Sequence, residues 1–315
     1  GRAMAPFTGK RKASEEEWKR ERPDVLTDLG DVACCMGIDE AGRGPVLGPM
    51  VYGAAFAPLD KDAALRKLGF ADSKTLSEDK RNKLFEVIKQ TDYLGWMTVS
   101  LSASELSNKM LQRNKYNLNA ISHDTAIEMI QRALSAGVNV TAAYIDTVGD
   151  QDSYQRKLSA RFPSIDFTVC KKADSIYPIT SAASICAKVT RDQEIKNWTF
   201  KEQGFSSKNS IGSGYPADEG TQAWLASNGD SVFGYPDLVR FSWRTVETLF
   251  QHNAHPFKWE ADEEDDEAQG KLQFQAVHSA SASKQGTVPL KTLPLPKSCS
   301  FFVHRSLHSV SCLPN

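Results

Sequence analysis

The chain has 315 residues, 40% of them hydrophobic, which is enough for one large domain or two ordinary ones around a sizeable core. No apolar run reaches the ~20 residues that span a bilayer, and the charged N-terminus lacks the apolar segment of a secretory signal, so we expect neither a membrane protein nor a secreted one. The net charge is −1, but seven acids lie between positions 260 and 267, and without them the chain carries +6, the sign expected of a nucleic-acid binder.

The two ends of the chain differ in composition from its middle. Residues 1–30 are predicted to be a charged leader, in which Lys10, Arg11 and Lys12 form a candidate nuclear-import cluster. Residues 251–315 turn acidic and then rich in Ser and Pro, a composition that buries too little apolar surface to fold alone. We therefore predict that this tail is mostly disordered or becomes ordered on a partner.

Apolar runs predict five strands in the middle of the chain. The first covers residues 33–38 and ends in two acids, and the next two cover residues 50–56 and 93–101. Short links between these three favour an antiparallel meander. The fourth and fifth strands are predicted at residues 142–148 and 167–170.

Helical periodicity appears beside the last two strands. A helix is predicted over residues 118–136, with Gly137 as its C-terminal cap and apolar or small side chains at 3–4 spacing: Leu118, Ile121, Thr125, Met129 and Ala133. A long helix is predicted at 179–198, and shorter ones up to about 250. This order predicts an α/β domain over residues 31–250, with a mixed five-stranded sheet flanked by helices and a C-terminal helical extension.

Four carboxylates occupy similar places in this order: Asp39 and Glu40 end the first predicted strand, Asp146 lies in the fourth, and Asp174 follows the fifth. Since the first and fourth strands should be neighbours, their acids could converge on one small volume. Oxygen ligands without His or thiolate suit Mg²⁺ or Mn²⁺, and two such ions ~3.5–4 Å apart can drive in-line attack on phosphorus. For any single acid, a solvated carboxylate at a strand end is the alternative interpretation.

The cysteines support an intracellular setting. The six, at positions 34, 35, 170, 186, 299 and 312, contain no CxxC pair, and four lie in or beside predicted strands or helices. This spacing predicts free thiols in a reducing compartment, not a disulfide framework or a zinc site.

Short blocks that occur in order across residues 35–250 identify a family. They cover residues 37–49 (GIDEAGRGPVLGP), 71–76 (ADSKTL), 145–147 (IDT), 171–174 (KKAD), 181–188 (SAASICAK) and 212–216 (GSGYP). Together they resemble type 2 ribonuclease H, the ribonuclease HII family. The resemblance implies the ribonuclease-H-like fold and a nuclease that cuts the RNA strand of RNA-DNA hybrids. It also implies nicking on the 5′ side of single ribonucleotides in duplex DNA, which leaves 3′-OH and 5′-phosphate ends.

The resemblance also implies roles for individual residues. The four carboxylates would bind two Mg²⁺ ions, with Mn²⁺ as a substitute, and Gly42, Arg43 and Gly44 would present backbone groups to the ribose 2′-OH. Glycine lets the main chain come close, and the 2′-OH is what distinguishes RNA from DNA. Tyr215 would pack on the sugar at the RNA-to-DNA junction.

Three further residues are candidates for substrate contacts. Ser73 and Lys74 resemble the family's contacts to the phosphates of the substrate backbone. Asn117 could contact the DNA strand or could instead cap the helix that begins after it.

Two blocks, residues 115–119 (KYNLN) and 239–244 (VRFSWR), resemble the eukaryotic branch of the family. That branch implies a heterotrimer, in which two non-catalytic subunits would bind the C-terminal part of this chain, itself the catalytic subunit. It also implies action on misincorporated ribonucleotides in the nucleus.

Two alternatives stay open on the sequence alone. One is another nuclease or integrase of the ribonuclease-H-like group, which would share the acidic site but lack the Gly-Arg-Gly reader. The other is a nucleic-acid-binding scaffold whose acids are vestigial. Metal-dependent cleavage separates an enzyme from a scaffold, and cleavage at one embedded ribonucleotide separates type 2 ribonuclease H from the other nucleases.

Overall fold

A five-stranded mixed sheet forms the centre of the molecule. The computed structural model describes residues 32–70, 76–114, 116–202 and 211–253. The strands are β1 (Cys34–Ala41), β2 (Met50–Pro58), β3 (Gly95–Leu101), β4 (Val140–Asp146) and β5 (Asp166–Cys170), in the order β3-β2-β1-β4-β5. Strands β1, β2 and β3 pair antiparallel, whereas β4 pairs parallel with both β1 and β5. The predicted mixed sheet is confirmed, with the first and fourth strands as neighbours.

Helices connect and cover these strands within the described ranges. They are α1 (Asp62–Lys67), α2 (Glu78–Gln90), α3 (Ala103–Met110), α4 (Leu118–Ser135), α5 (Gln151–Arg161), α6 (Ala173–Ile176), α7 (Pro178–Lys196), α8 (Glu219–Asn228) and α9 (Arg244–Asn253). The two long predicted helices are confirmed as α4 and α7, each ending within two residues of its prediction. The expectation of short links among the first three strands is wrong, because α1 and α2 lie between β2 and β3.

The sequence of α2 has two features of a helix, an N-terminal cap and apolar residues at 3–4 spacing, although no helix was predicted there. Ser77 accepts a hydrogen bond from the backbone N–H of Lys80 and so caps the helix. Leu84, Phe85 and Ile88 are its buried residues, at the 3–4 spacing of a helix with one apolar face.

Strand β1 is buried on both faces, which sets the direction of its acidic side chains. Cys34, Met36 and Ile38 belong to the core cluster that includes residues of α4 and α5. Cys35 belongs to a second cluster, with residues of α2 and α7. Since side chains alternate along a strand, the next two positions, Asp39 and Glu40, face opposite sides of the sheet.

Helix α7 crosses β1 and β2 at very short range. A Cβ atom at Gly53 of β2 would lie 2.2 Å from the carbonyl oxygen of Ala183, so only glycine permits this approach. The close packing brings Ser184 and Lys188 of α7 to the side of the sheet that Asp39 faces.

The C-terminal segment packs on the loop between β1 and β2. A third apolar cluster joins Val46 and Leu47 of that loop to Trp224, Leu238 and Val246, among others. The predicted leader (1–30) and the tail beyond residue 253 lie outside the described residues, and α9 continues three residues past the predicted boundary at 250.

Two further observations concern the described ranges. None of their helices is long and apolar enough to span a membrane. Cys34, Cys35, Cys170 and Cys186 are free thiols, as predicted.

Candidate active site

The strand pairing brings the predicted acids to one edge of the sheet. The parallel register of β1 and β4 ends with Ile38 beside Ile145, so Asp39 and Asp146 follow on adjacent strands. Asp146 in turn lies beside Cys170, the last residue of β5, and Asp174 follows in α6. Carboxyl groups from three distant parts of the chain therefore come to neighbouring strand ends.

Asp39 is a buried carboxyl group, and its environment disfavours the charged form. Burial raises its pKa above the ordinary range, and the negative charges of Asp146 and Asp174 add to the shift. The Lys188 ammonium and a hydrogen bond from Ser184 act in the opposite direction. One oxygen of Asp39 also accepts a hydrogen bond of 2.8 Å from the backbone N–H of Glu40.

Glu40 lies on the other face of the sheet, and its environment also disfavours the charged form. Burial raises its pKa, and the charge of Asp39 raises it further, whereas the Arg43 guanidinium lowers it. Burial, and after it the charge of Glu40, raises the pKa values of the Tyr52 and Tyr154 phenols. Without a cation, Asp39 and Glu40 are thus a coupled pair that resists full ionisation.

Asp146 and Asp174 are placed by the turn after β5. Asp146 Oδ1 accepts a hydrogen bond of 3.2 Å from the backbone N–H of Ala173. Lys172 adopts a left-handed conformation (φ 57°), which costs energy for a residue other than glycine and forms the sharp entry into α6. Asp174 is 3% exposed, and neither of its carboxylate oxygens has a hydrogen-bond partner in the part of the chain that the structure describes.

The chemistry of these carboxyl groups suits a divalent cation. As they stand, no three acidic, Cys or His side chains of the described ranges form a ready ligand set for an ion. However, two buried carboxylate oxygens without a donor are costly, and a hard cation would satisfy them. The donor set is oxygen alone, the type that Mg²⁺ and Mn²⁺ prefer. The assignment of the four acids as metal ligands stays a prediction.

The loop between β1 and β2 begins in a conformation that requires glycine. Gly42 has φ +80°, and a Cβ atom there would lie 2.1 Å from Nε of Arg191. Arg191 is buried and donates to the carbonyl oxygens of Leu47 (3.3 Å) and Pro49 (3.1 Å). A cation on α7 therefore holds the far end of the loop.

A second buried arginine binds both ends of the loop. Arg240 donates to the carbonyl oxygens of Gly42 (2.6 Å), Arg43 (3.2 Å) and Gly48 (2.8 Å). Its pKa is lowered to about 9 by burial and by the charge of Arg191, so it is still charged at neutral pH. Sequence reasoning did not predict Arg240 as a site residue, although it lies in the 239–244 block and is a charge within the apolar run at residues 238–241.

Backbone hydrogen bonds also pair the loop with two C-terminal segments. The N–H of Val46 donates to Gly214 O at 2.8 Å, and the N–H of Gly48 donates to Leu238 O at 2.8 Å. The N–H of Arg240 donates to Val46 O at 2.9 Å. The loop is therefore completed by residues about 170 to 200 positions away.

The Arg43 side chain is bound within the protein. Its guanidinium donates to Oγ of Ser122 (2.8 Å) and to Oδ1 of Asn119, both on α4. No hydrogen bond within the described ranges uses the backbone N–H of Arg43 or of Gly44 as donor. This arrangement leaves those two N–H groups for an external acceptor.

Tyr215 lies against the loop. Its side chain is 51% exposed, and its ring would be 3.2 Å from a Cβ atom at Gly44. The turn that carries it is fixed by Asp218, whose carboxylate accepts from the N–H groups of Ser213 (3.2 Å) and Thr221 (2.8 Å). The predicted sugar-packing tyrosine and the predicted 2′-OH reader are thus in contact.

The remaining predicted substrate contacts are only partly described. Asn117 Oδ1 accepts a hydrogen bond of 2.9 Å from the N–H of Ala120, so this residue caps α4, which was one of its two predicted roles. Ser73 and Lys74 lie outside the described residues. Beside Gly44 an open cleft of about 490 Å³ is lined by Arg43, Trp243 and Arg244, among others.

Comparison with known proteins gives a consistent result. A family model described as ribonuclease HII matches residues 36–246. A ribonuclease H2 subunit of Arabidopsis thaliana is 54% identical over 237 residues, 75% of this chain and 80% of that protein. The corresponding ribonuclease H2 subunit of Bos taurus is 47% identical over 281 residues, 89% of this chain and 91% of that protein.

Two solved structures share the fold. Ribonuclease H2 from Pyrococcus horikoshii OT3 superimposes with a TM-score of 0.57 at 29% identity, over 69% of this chain and 97% of that one. Ribonuclease HII from Archaeoglobus fulgidus, solved in complex with PCNA, gives a TM-score of 0.57 at 31% identity, over 68% of this chain and 96% of that one.

Proposed function

The chain belongs to the ribonuclease HII family and is a type 2 ribonuclease H, a hydrolase that acts on RNA-DNA, and from this premise we propose its finer activity. It hydrolyses the RNA strand of hybrids and also nicks duplex DNA on the 5′ side of a single embedded ribonucleotide. The products carry 3′-OH and 5′-phosphate ends. The reaction depends on two divalent cations, Mg²⁺ or, as a substitute, Mn²⁺.

The observation that carries this proposal is the state of Asp174. Its two buried oxygens lack donors among the described residues, while its charge and that of Asp146 add to the effect of burial and raise the pKa of the neighbouring Asp39. Several neighbouring carboxyl groups that are buried away from water are costly to ionise. Binding of a cation would offset that cost, which supports a role for these acids as cation ligands.

Each group then has a separate task. Asp39, Glu40, Asp146 and Asp174 would hold the cations, which when bound activate water and neutralise charge on the leaving oxygen. To the ribose 2′-OH, Arg43 and Gly44 offer backbone N–H groups that bind no described residue, and Tyr215 offers a flat, half-exposed ring to the adjacent sugar. Ser73 and Lys74 would contact the phosphate backbone.

The proposal is tested with a labelled DNA duplex that contains one ribonucleotide. It is incubated with the chain and Mg²⁺, with and without candidate partner subunits, beside an all-DNA duplex and an EDTA control. A single nick 5′ of the ribonucleotide is the expected result. Cleavage of long hybrids without that nick would favour another ribonuclease-H-like nuclease. No cleavage under any condition would favour a scaffold with vestigial acids.

Partner subunits and location belong to the same proposal. The relatives named above are subunits of ribonuclease H2, and we propose that two non-catalytic subunits bind the C-terminal part of this chain, near residues 200–260. Val232 and Phe233 are 67% and 49% exposed, which is suitable for an added protein surface. The cluster at residues 10–12 would direct the chain to the nucleus, and its replacement by alanines in a fluorescent fusion tests that role.

A further inference from the structure

Trp243 lies where the C-terminal segment meets the Gly-Arg-Gly loop. Its indole Nε1–H donates a hydrogen bond of 3.1 Å to the carbonyl oxygen of Gly44. The Arg240 guanidinium lies over its ring, 4.7 Å from the ring centroid. The ring also packs against both the core under α4 and α5 and the C-terminal cluster. One side chain therefore touches the loop, the buried cation beneath it and two apolar cores.

The geometry of the peptide bond links these contacts to the direction of the loop N–H groups. In a planar trans peptide the C=O and the following N–H point in opposite directions. Arg240 binds the carbonyl oxygens of Gly42 and Arg43, so the N–H groups of Arg43 and Gly44 are aimed away from it. Trp243 fixes the next carbonyl, that of Gly44, and so limits rotation of the residue that carries the second N–H.

We infer that Trp243 is a positioning residue for ribonucleotide recognition: its indole N–H and its ring face hold Gly44 and Arg240 so that the loop N–H groups point at the 2′-OH. This inference rests on the proposed function, because it assumes that these N–H groups read the ribose. Trp243 itself acts through the loop, since its donor atom is already bound to Gly44.

The variant Trp243→Phe isolates the hydrogen bond, because it keeps an aromatic face for Arg240 and removes only the N–H and part of the ring. A matched control is Trp198→Phe. Trp198 packs in the same C-terminal cluster, and its buried Nε1 has no hydrogen-bond partner among the described residues, so the same change removes an N–H that makes no hydrogen bond to them.

The readout is selectivity for the ribonucleotide. In an Asp146→Asn background that prevents cleavage, the Kd is measured for a duplex with one ribonucleotide and for the same duplex in all-DNA form. Loss of one neutral hydrogen bond corresponds to roughly 5-fold in affinity. We expect Trp243→Phe to reduce the ratio of the all-DNA Kd to the ribonucleotide Kd by about that factor, through weaker binding of the ribonucleotide duplex alone. Trp198→Phe should leave this ratio unchanged.

The possible outcomes separate this inference from the proposed function. An unchanged ratio in Trp243→Phe, or a parallel loss on both duplexes, would overturn the positioning role. Thermal melting of each variant identifies a general loss of structure, which would weaken both duplexes together. If the wild-type chain does not nick at a single ribonucleotide, the proposed function fails, and the inference fails with it.

Discussion

Nη2 of Arg240 donates a 2.6 Å hydrogen bond to the carbonyl oxygen of Gly42, a residue 198 positions earlier in the chain. The bond ties the C-terminal helical extension, at a point between α8 and α9, to the loop that follows β1. The extension is therefore part of the site, since it completes the loop that the family motif begins.

Removal of Arg240 should destabilise the chain. Arg240→Ala leaves the carbonyl oxygens of Gly42, Arg43 and Gly48 without their donor in a buried place, and each unsatisfied group costs about 1–3 kcal/mol. We expect the free energy of unfolding in urea to fall by roughly 3 kcal/mol or more. The exposed neighbour Arg244 is the control, and Arg244→Ala should change stability by less than about 0.5 kcal/mol. Equal effects of the two changes would contradict the structural role of Arg240.

Local patterns were sufficient for the sheet and for the placement of its acids. Strand β1 is apolar on both faces and then acidic, and the positions of Asp39 and Asp146 at neighbouring strand ends follow from the predicted strand order. Arg240 and Trp243 could not be assigned this way. Their partners lie almost 200 residues away, and a periodicity of 2 or 3.6 residues carries no information about contacts at that separation.

The metal assignment predicts a specific loss of activity. Asp146→Asn keeps Oδ1 as an acceptor for the N–H of Ala173 but removes the negative charge. We expect turnover to fall by at least about 10³-fold, because the metal assignment makes the charged Asp146 carboxylate a ligand of the cation. The melting temperature in EDTA should be unchanged or slightly higher. Asp166→Asn, at the exposed start of β5, is the matched control and should keep full activity. Near-normal turnover of Asp146→Asn would remove the metal-site assignment.

The raised pKa values of Asp39 and Glu40 predict how the metal-free chain responds to pH. Both groups hold their protons to higher pH when folded than when unfolded. Their contribution to stability is therefore complete below the unfolded pKa near 4 and is lost as the pH rises through the folded pKa. In EDTA, we expect the unfolding free energy attributable to this pair to decrease between pH 5 and pH 8, by about 1.4 kcal/mol for each unit of pKa shift.

Two additions check this origin. Asp39→Asn removes one member of the pair, so its stability in EDTA should depend less on pH than that of the wild type. Mg²⁺ binds the ionised form, so its stabilising effect in urea unfolding should be larger at pH 8 than at pH 5.5 and should be small in Asp39→Asn. A Mg²⁺ effect of equal size at both pH values would argue against these carboxylates as ligands.

The two glycines of the Gly-Arg-Gly loop should respond differently to the same substitution. Gly42→Ala places a Cβ on a residue with φ +80° and against the Arg191 side chain, so we expect a loss of stability of about 2 kcal/mol or more. Gly44→Ala meets only the half-exposed ring of Tyr215 at 3.2 Å, so stability should change by less than about 0.5 kcal/mol. Its effect should appear in kcat/KM at a single ribonucleotide, because the Tyr215 ring is displaced. Normal nicking by a stable Gly44→Ala chain would contradict the contact between the two predicted readers.

Tyr215 allows the junction reader to be tested directly. Tyr215→Phe keeps the ring that packs beside Gly44 and removes only the hydroxyl. We expect kcat/KM to decrease more for a duplex with one ribonucleotide than for a long RNA-DNA hybrid, since only the former presents a single RNA-to-DNA junction. Equal losses on both substrates would show that the hydroxyl has no special part in junction recognition.

Asn117 provides a test that separates a capping role from a substrate contact. Its Oδ1 caps α4, so Asn117→Ala should lower the free energy of unfolding by about 1 kcal/mol, and Asn117→Ser should restore most of that loss because serine is also a good cap. The same pair of variants is then assayed for nicking. If Asn117 only caps the helix, Asn117→Ser should cut at the wild-type rate, since α4 still presents Ser122 and Asn119 to Arg43. A stable Asn117→Ser chain with reduced kcat/KM would instead show that the amide contacts the DNA strand, the second role that its position at the start of α4 allows.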